Sequence, residues 1–304
     1  MIARLLSAPL LLAVLAVAMG SGIDALVKAT APGAGVMVLV AWRFLFGAMI
    51  AGAVFLAQRR AWPPGEAVRF HIMRSLMQVA SAILLFHALT QLALAETVLI
   101  GFTAALMVPF AAWIILGEPV SPRAFGLTLL GFAGAAFAVS ATPEGAVVGT
   151  HRLLGIASVL ASAMLYAVVL VLLRLRAVKE DATTIALFTN GVPALCLSPF
   201  LFGVAGPVDV NDLPVFTLLG AIGYAVWYLL TLAYARARAQ LLAPLEYTAL
   251  IWAALIGFVF FDEVPGWRVA VGAVLIVAAC LGVAFENHFA TRRETGQPVS
   301  DLPD

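Results

Sequence analysis

The sequence predicts an all-α polytopic membrane protein of ten transmembrane helices arranged as two inverted five-helix repeats. Three observations carry this expectation. Of 304 residues, 63% are apolar and 11% charged, more apolar material than a soluble domain of this size could hide in its core. Lys and Arg gather on alternate loops, as the positive-inside rule requires of a chain that crosses a membrane repeatedly. The chain also registers on itself, without a gap, at a shift of 145 residues.

A membrane helix needs about 20 apolar residues. Ten such spans lie near 6–27, 34–57, 71–91, 95–116, 122–141, 153–175, 184–204, 213–235, 239–261 and 267–285. The first follows Arg4 and carries small residues at Ala16, Ala18 and Gly20, the pattern of a secretory signal. With nine more spans behind it, an uncleaved first helix is the expectation. Span 2 holds Arg43, span 3 opens on His71 and Arg74, and span 4 contains Pro109 and ends at Leu116-Gly117-Glu118. Span 9 contains Ala243-Pro244-Leu245-Glu246-Tyr247 and ends at Phe261-Asp262-Glu263. Pro244 removes a backbone donor and frees a carbonyl one turn back, so a weakened turn is expected beside Glu246. Residues 287–304 are polar and expected to form a disordered tail.

With both termini on one side, that side receives Arg4, Arg59, Arg60, Arg69, Arg74, Arg123, Arg174, Arg176, Lys179, Arg236, Arg238, Arg292 and Arg293. The other side receives only Lys28, Arg152 and Arg268. Both termini are therefore expected in the cytoplasm.

The shift by 145 aligns Val14, Leu15, Ala16, Ala18 and Met19 with Val159, Leu160, Ala161, Ala163 and Met164. Glu118 falls on Glu263 and Arg123 on Arg268, and charged coincidences are rare in so apolar a chain. The repeats are bounded at 5–143 and 152–286. Five helices are an odd number, so the second repeat enters the membrane inverted. Inverted repeats are the architecture of alternating-access carriers; a duplicated membrane protein without transport activity is the other reading.

Trp42-Arg43-Phe44, Arg74, Phe86-His87-Ala88-Leu89, Pro109 with Leu116-Gly117-Glu118, Ala233-Tyr234, Ala243-Pro244-Leu245-Glu246-Tyr247 and Phe261-Asp262-Glu263 resemble the drug/metabolite transporter superfamily. The resemblance is to its ten-helix EamA-type branch with two EamA repeats, and it covers residues 5 to 285. It implies a small-molecule carrier of the bacterial inner membrane, among relatives that move amino acids, riboflavin, S-adenosylmethionine and metallophores. Two positions depart from the branch: Glu246 stands where it usually has glutamine, and His87 where many members have tyrosine.

Charged residues inside the hydrocarbon cost several kcal/mol, roughly 2.5–3.5 at the centre, and face protein or water. Arg43 lies about 15 Å deep by helical rise, either to capture a substrate carboxylate or to tie helix ends together. Arg74 and His71 are expected to snorkel to the interface. Glu246 and His87 are candidate proton carriers; a histidine merely hydrogen-bonded in the bundle is an equal reading for His87. Asp24 and Lys28 have the spacing of a helix-surface ion pair, and Glu96 that of a helix N-terminal acid. The expected cavity is walled by Tyr166, Tyr224, Trp227, Tyr228, Tyr247 and Trp252, with Gln78, His87, Arg43 and Glu246 supplying polar contacts; interfacial aromatic belts are the alternative for several of these rings. Gly131, Gly134, Gly155, Gly220, Gly223 and Gly257 read as close helix packing.

The function expected is transport of a small polar or amphipathic metabolite (amino acid, vitamin or nucleoside-like compound) by alternating access, proton-coupled if Glu246 titrates. A lipid flippase or scramblase is the alternative, an intramembrane enzyme a distant third, since no catalytic motif is present. Cys196 and Cys280 lack metal-ligand spacing, and His71, His87, His151 and His288 are scattered, so neither metal nor cofactor is expected. The partners expected are a small-molecule substrate and membrane lipid. A net charge of +1 gives no nucleic-acid signal, and the protein is expected as a monomer or homodimer.

Overall fold

The computed structural model describes residues 8–34, 36–91, 100–118, 121–139, 152–203, 212–261 and 267–294. Every one of the ten expected spans carries helix. The elements are α1 (Ala8–Ala34), α2 (Val36–Ala57), α3 (Gly65–Gln91), α4 (Thr103–Leu116), α5 (Pro122–Val139), α6 (Arg152–Ala177), α7 (Ala182–Gly203), α8 (Leu213–Arg236), α9 (Ala239–Leu242), the 3-10 turn η1 (Ala243–Tyr247), α10 (Thr248–Phe261) and α11 (Trp267–Glu294). Among the described residues, five helices are long and apolar enough to cross a membrane. They are α2, α3, α6, α7 and α8. Shorter apolar stretches lie in α1, α4 and α11.

Local chemistry sets several helix ends. Gly117 adopts the left-handed conformation, φ 67°, at the end of α4, where a residue with a β-carbon is strained. Its N–H donates to Trp113 O at 3.1 Å, the bond of an αL helix close, and that of Glu118 donates to Ala112 O at 3.4 Å. This turn brings Glu118 back towards the bundle. In the ninth span, Pro244 cannot donate to the carbonyl four residues earlier, and the chain tightens into η1 between α9 and α10. Arg174 and Arg176 occupy the last turn of α6, where cations oppose the helix dipole favourably.

One expectation is corrected here. The last helix does not end at 286 but runs to Glu294. Ala290 and the arginines Arg292 and Arg293 favour helix and suit its C-terminal end, so polarity alone did not stop it. Residues 295–304 lie outside the described residues.

The helices pack in the pattern that exchanging the two halves would reproduce. α3 lies on α6 as α8 lies on α1, α4 lies on α6 as α10 lies on α1, and α2–α7 and α5–α11 are the self-paired contacts. The largest apolar core joins α1, α4, α6, α8 and η1 through Leu10, Ala112, Leu170, Leu230, Tyr234 and Tyr247. Small residues permit these approaches. A β-carbon at Gly220 of α8 would stand 2.8 Å from the backbone nitrogen of Gly47 on α2, and one at Gly131 of α5 would stand 2.5 Å from the Tyr247 ring. Gly134 and Gly223 meet neighbours as closely, so four of the glycines read as packing residues are so used. Outward faces carry Leu56, Leu153, Leu195, Phe260 and Val274 exposed, as a lipid-facing bundle requires.

Candidate functional site

The break at η1 presents Glu246, half-buried, towards α6 and α8. Its carboxyl group lies within electrostatic reach of Tyr166 on α6, Tyr234 on α8 and its neighbour Tyr247. Tyr166 is also within reach of Arg43 on α2. One phenol is thus within reach of a half-buried acid and a half-buried guanidinium carried by different repeats. Arg43 reaches this point because α8 offers no side chain at Gly223: a β-carbon there would lie 2.8 Å from the Arg43 Nε. The guanidinium also lies 4.7 Å from the centroid of the Phe44 ring, a cation–π arrangement.

The other candidates divide. Tyr224 and Tyr228 stack with ring centroids 5.9 Å apart, a paired aromatic surface on one face of α8. Trp252 is half-buried on α10, and its indole N–H has no partner among the described residues. Tyr247, by contrast, is fully buried and sends its hydroxyl to Phe102 O at 3.4 Å, with its ring edge-to-face on Phe102 at 5.4 Å. Trp227 is buried in the main apolar core. Gln78 is buried where α3 meets its neighbours, and His87 is exposed near the end of α3. The side chains of Asp24 and Lys28, and residues Glu96, Asp262 and Glu263, lie outside the described residues.

The expectation that Arg74 and His71 snorkel is overturned. Both are 0% exposed. The α3 face carrying them turns into α7 rather than out to the interface, because α7 supplies polar partners. Arg74 Nη2 donates to Thr189 Oγ1, and Ser75 Oγ donates to Phe188 O at 3.1 Å. His71 stacks on Phe188 and meets Glu180 Oε2 at 2.5 Å. Arg176 holds the other Glu180 oxygen at 2.9 Å.

The same end of the bundle is tied by further charges. Arg60 pairs with Asp181 at 3.1 Å, and Thr183 Oγ1 donates to Gln58 Oε1 at 3.1 Å. Arg174 donates to the Tyr234 carbonyl at 2.6 Å and lies 3.6 Å from Glu118. Sequence reasoning singled out Tyr234 only as a motif residue, and missed Glu180, Thr189 and Asn190 altogether. Arg176 and Glu180, four apart, carried a legible ion-pair spacing. Nothing local announced Thr189, whose partner Arg74 lies on another helix, or Asn190, whose amide nitrogen donates to Ala186 O within α7.

A bundle that is all-helical among the described residues, with a helix break beside an acid in its ninth span, defines a polytopic membrane protein of the inverted-repeat kind. The EamA-like transporter family model matches residues 7–140 and 153–285, and the chain belongs to that family. It is 26% identical over 295 residues to the pseudopaline exporter CntI of Pseudomonas aeruginosa, covering 93% of this chain and 98% of the exporter. It is 29% identical over 189 residues to a riboflavin transporter of Rhizobium johnstonii, covering 61% and 60% of the two chains. A solved crystal structure shares the fold with a TM-score of 0.77 at 24% identity, covering 92% of this chain and 98% of that one.

Proposed function

We propose that this protein carries a small polar or amphipathic metabolite across the inner membrane by alternating access, with both termini in the cytoplasm. The halves 5–143 and 152–286 rock about the site between them, and the coupling ion is a proton taken and released by Glu246. The observation that carries the reading is the set Glu246, Tyr166 and Arg43. It gathers a titratable acid, a hydroxyl able to donate or accept, and a fixed positive charge beside a helix break. A carboxyl group that can become neutral removes much of the cost of carrying an empty site through the membrane interior. Tyr224 and Tyr228 add a stacking surface suited to a planar portion of the cargo.

The test has two stages. Thermal stabilisation of the purified protein against a metabolite library identifies a cargo, and its uptake into proteoliposomes is then followed with and without an imposed pH gradient. Glu246→Gln is expected to keep binding and lose the response to the gradient. Unchanged gradient dependence in that variant would reject the proton role and leave a facilitator or exchanger.

A further inference from the structure

The seam between α3 and α7 holds a guanidinium whose hydrogen-bonding capacity is only partly met among the described residues. Arg74 is fully buried; one of its three guanidinium nitrogens bonds Thr189, while Nε and Nη1 have no partner. Among the described residues it forms no ion pair. Glu180, the acid whose charge reaches it, is already engaged by His71 and Arg176. One turn along the same face, Gln78 Oε1 is buried without a partner, and Asn190 Oδ1, next to Thr189 on α7, is likewise unpartnered. Arginine does not shed its proton to escape this cost. A mere tie to Thr189 needs a single donor, and the Ser75 to Phe188 bond already links the helices there. Both bidentate edges of a guanidinium include Nη2, so Nε and Nη1 are single donors on opposite edges here, and parting Thr189 from Nη2 completes a fork whose geometry suits an oxyanion.

The seam is also one that alternating access must open. Its counterpart in the other half is the α2–α8 seam, where Arg43 lies across Gly223, and Gly223 is the residue 145 positions after Gln78. Each of the two seams therefore sheathes one guanidinium. We propose that Arg74 is an anion-recognition point on the cytoplasmic half of the pathway, and that the cargo carries a carboxylate or another compact oxyanion. This rests on the alternating-access reading above. When α3 and α7 part, the fork faces water, and the anionic group of the cargo supplies the missing acceptors; Gln78, one turn from Arg74 on α3, borders the same opening, whereas the Asn190 side chain lies against Gly47 of α2.

The experiment uses the full chain carrying Cys196→Ser, Cys280→Ser and Gln78→Cys in inside-out vesicles. The introduced thiol is labelled from the cytoplasmic side with an anionic sulfonate methanethiosulfonate reagent and with its cationic trimethylammonium counterpart. We expect the anionic reagent to be favoured on the order of tenfold, the preference to vanish in Arg74→Gln, and to survive in Thr189→Ala, which removes the tie but keeps the charge. A second measurement needs no change at Arg74: succinate should slow labelling and succinamide, its neutral counterpart at equal concentration, should not. Labelling with no charge preference, a preference that survives Arg74→Gln, or equal effects of succinate and succinamide would overturn the anion site while leaving alternating access intact. No labelling from the cytoplasmic side under any condition would overturn both.

Discussion

His71 of α3 stacks on Phe188 of α7, with ring centroids 5.0 Å apart and planes 17° from parallel. The residue 145 positions after His71 is Phe216, and it stacks on Trp42 of α2 at 5.7 Å and 8°. The same ring-on-ring contact therefore closes both seams, near the start of α3 at one end of the bundle and near the start of α8 at the other. They differ in chemistry. The α2–α8 seam is drawn tight by Gly47 and Gly220 and holds the Arg43 guanidinium beside Gly223, whereas the α3–α7 seam gathers His71, Glu180, Arg74 and Thr189.

Replacing His71 by Phe copies the other seam: the stack survives and the bond to Glu180 is lost. Exchanging a buried polar contact for an apolar one is often neutral for stability. We expect His71→Phe to unfold within a few degrees of the parent in detergent and to raise the cytoplasmic labelling rate of a cysteine at position 78 several-fold. An unchanged or slower rate would show that the His71 to Glu180 bond does not hold that end shut.

Gly220→Val places side-chain atoms into the α2 backbone at Gly47, which cannot swing aside. Overpacking of this kind costs about 1–3 kcal/mol. Thermal unfolding should shift downward accordingly, while Gly52→Ala, whose added carbon meets nothing within 4 Å, should leave it unchanged. Equal unfolding temperatures for both variants would contradict the close crossing.

At the end of α4, the left-handed conformation of Gly117 costs an L-residue roughly 1–2 kcal/mol. Gly117→Ala should destabilise by that order and Gly117→Asn by less, since asparagine tolerates this conformation better. Because the turn delivers Glu118 to Arg174, the alanine variant should also lose the coupling energy between those two residues in a double-mutant cycle. A full-strength coupling would mean that the turn does not position the acid.

Removing the Tyr166 hydroxyl takes away a group within reach of both Arg43 and Glu246. For a cargo found by the stabilisation screen, Tyr166→Phe should weaken binding by about 0.5–1.5 kcal/mol, read by titration calorimetry, without lowering the unfolding temperature. Unaltered affinity would remove Tyr166 from the binding surface.

The inverted arrangement of the halves makes a further statement about sidedness. Single cysteines at positions 118 and 263, on a background without Cys196 and Cys280, should react with an impermeant maleimide from opposite faces of the membrane. Reaction of both from one face would be incompatible with inversion.

Sequence by itself determined the helical, membrane-spanning class, the ten apolar stretches, the repeat and the break at Pro244. Each follows from chemistry that acts along the chain: apolar length sets a span, a missing N–H sets a break, and Gly117 sets a helix end. Tertiary structure alone decided which polar residues face one another. A lipid-facing side and a protein-facing side of a membrane helix are both apolar, so periodicity does not tell them apart. Arg74 could be read as snorkelling until α7 brought Thr189 to it, and Phe188 O to its neighbour Ser75, from more than 100 residues away. Tyr247 and Tyr166 look alike in sequence, yet packing against Gly131 and Phe102 buries the first in the core, while the second lies within reach of both Arg43 and Glu246. A buried charge must find its partners wherever the fold supplies them, and that choice is made between helices rather than within one.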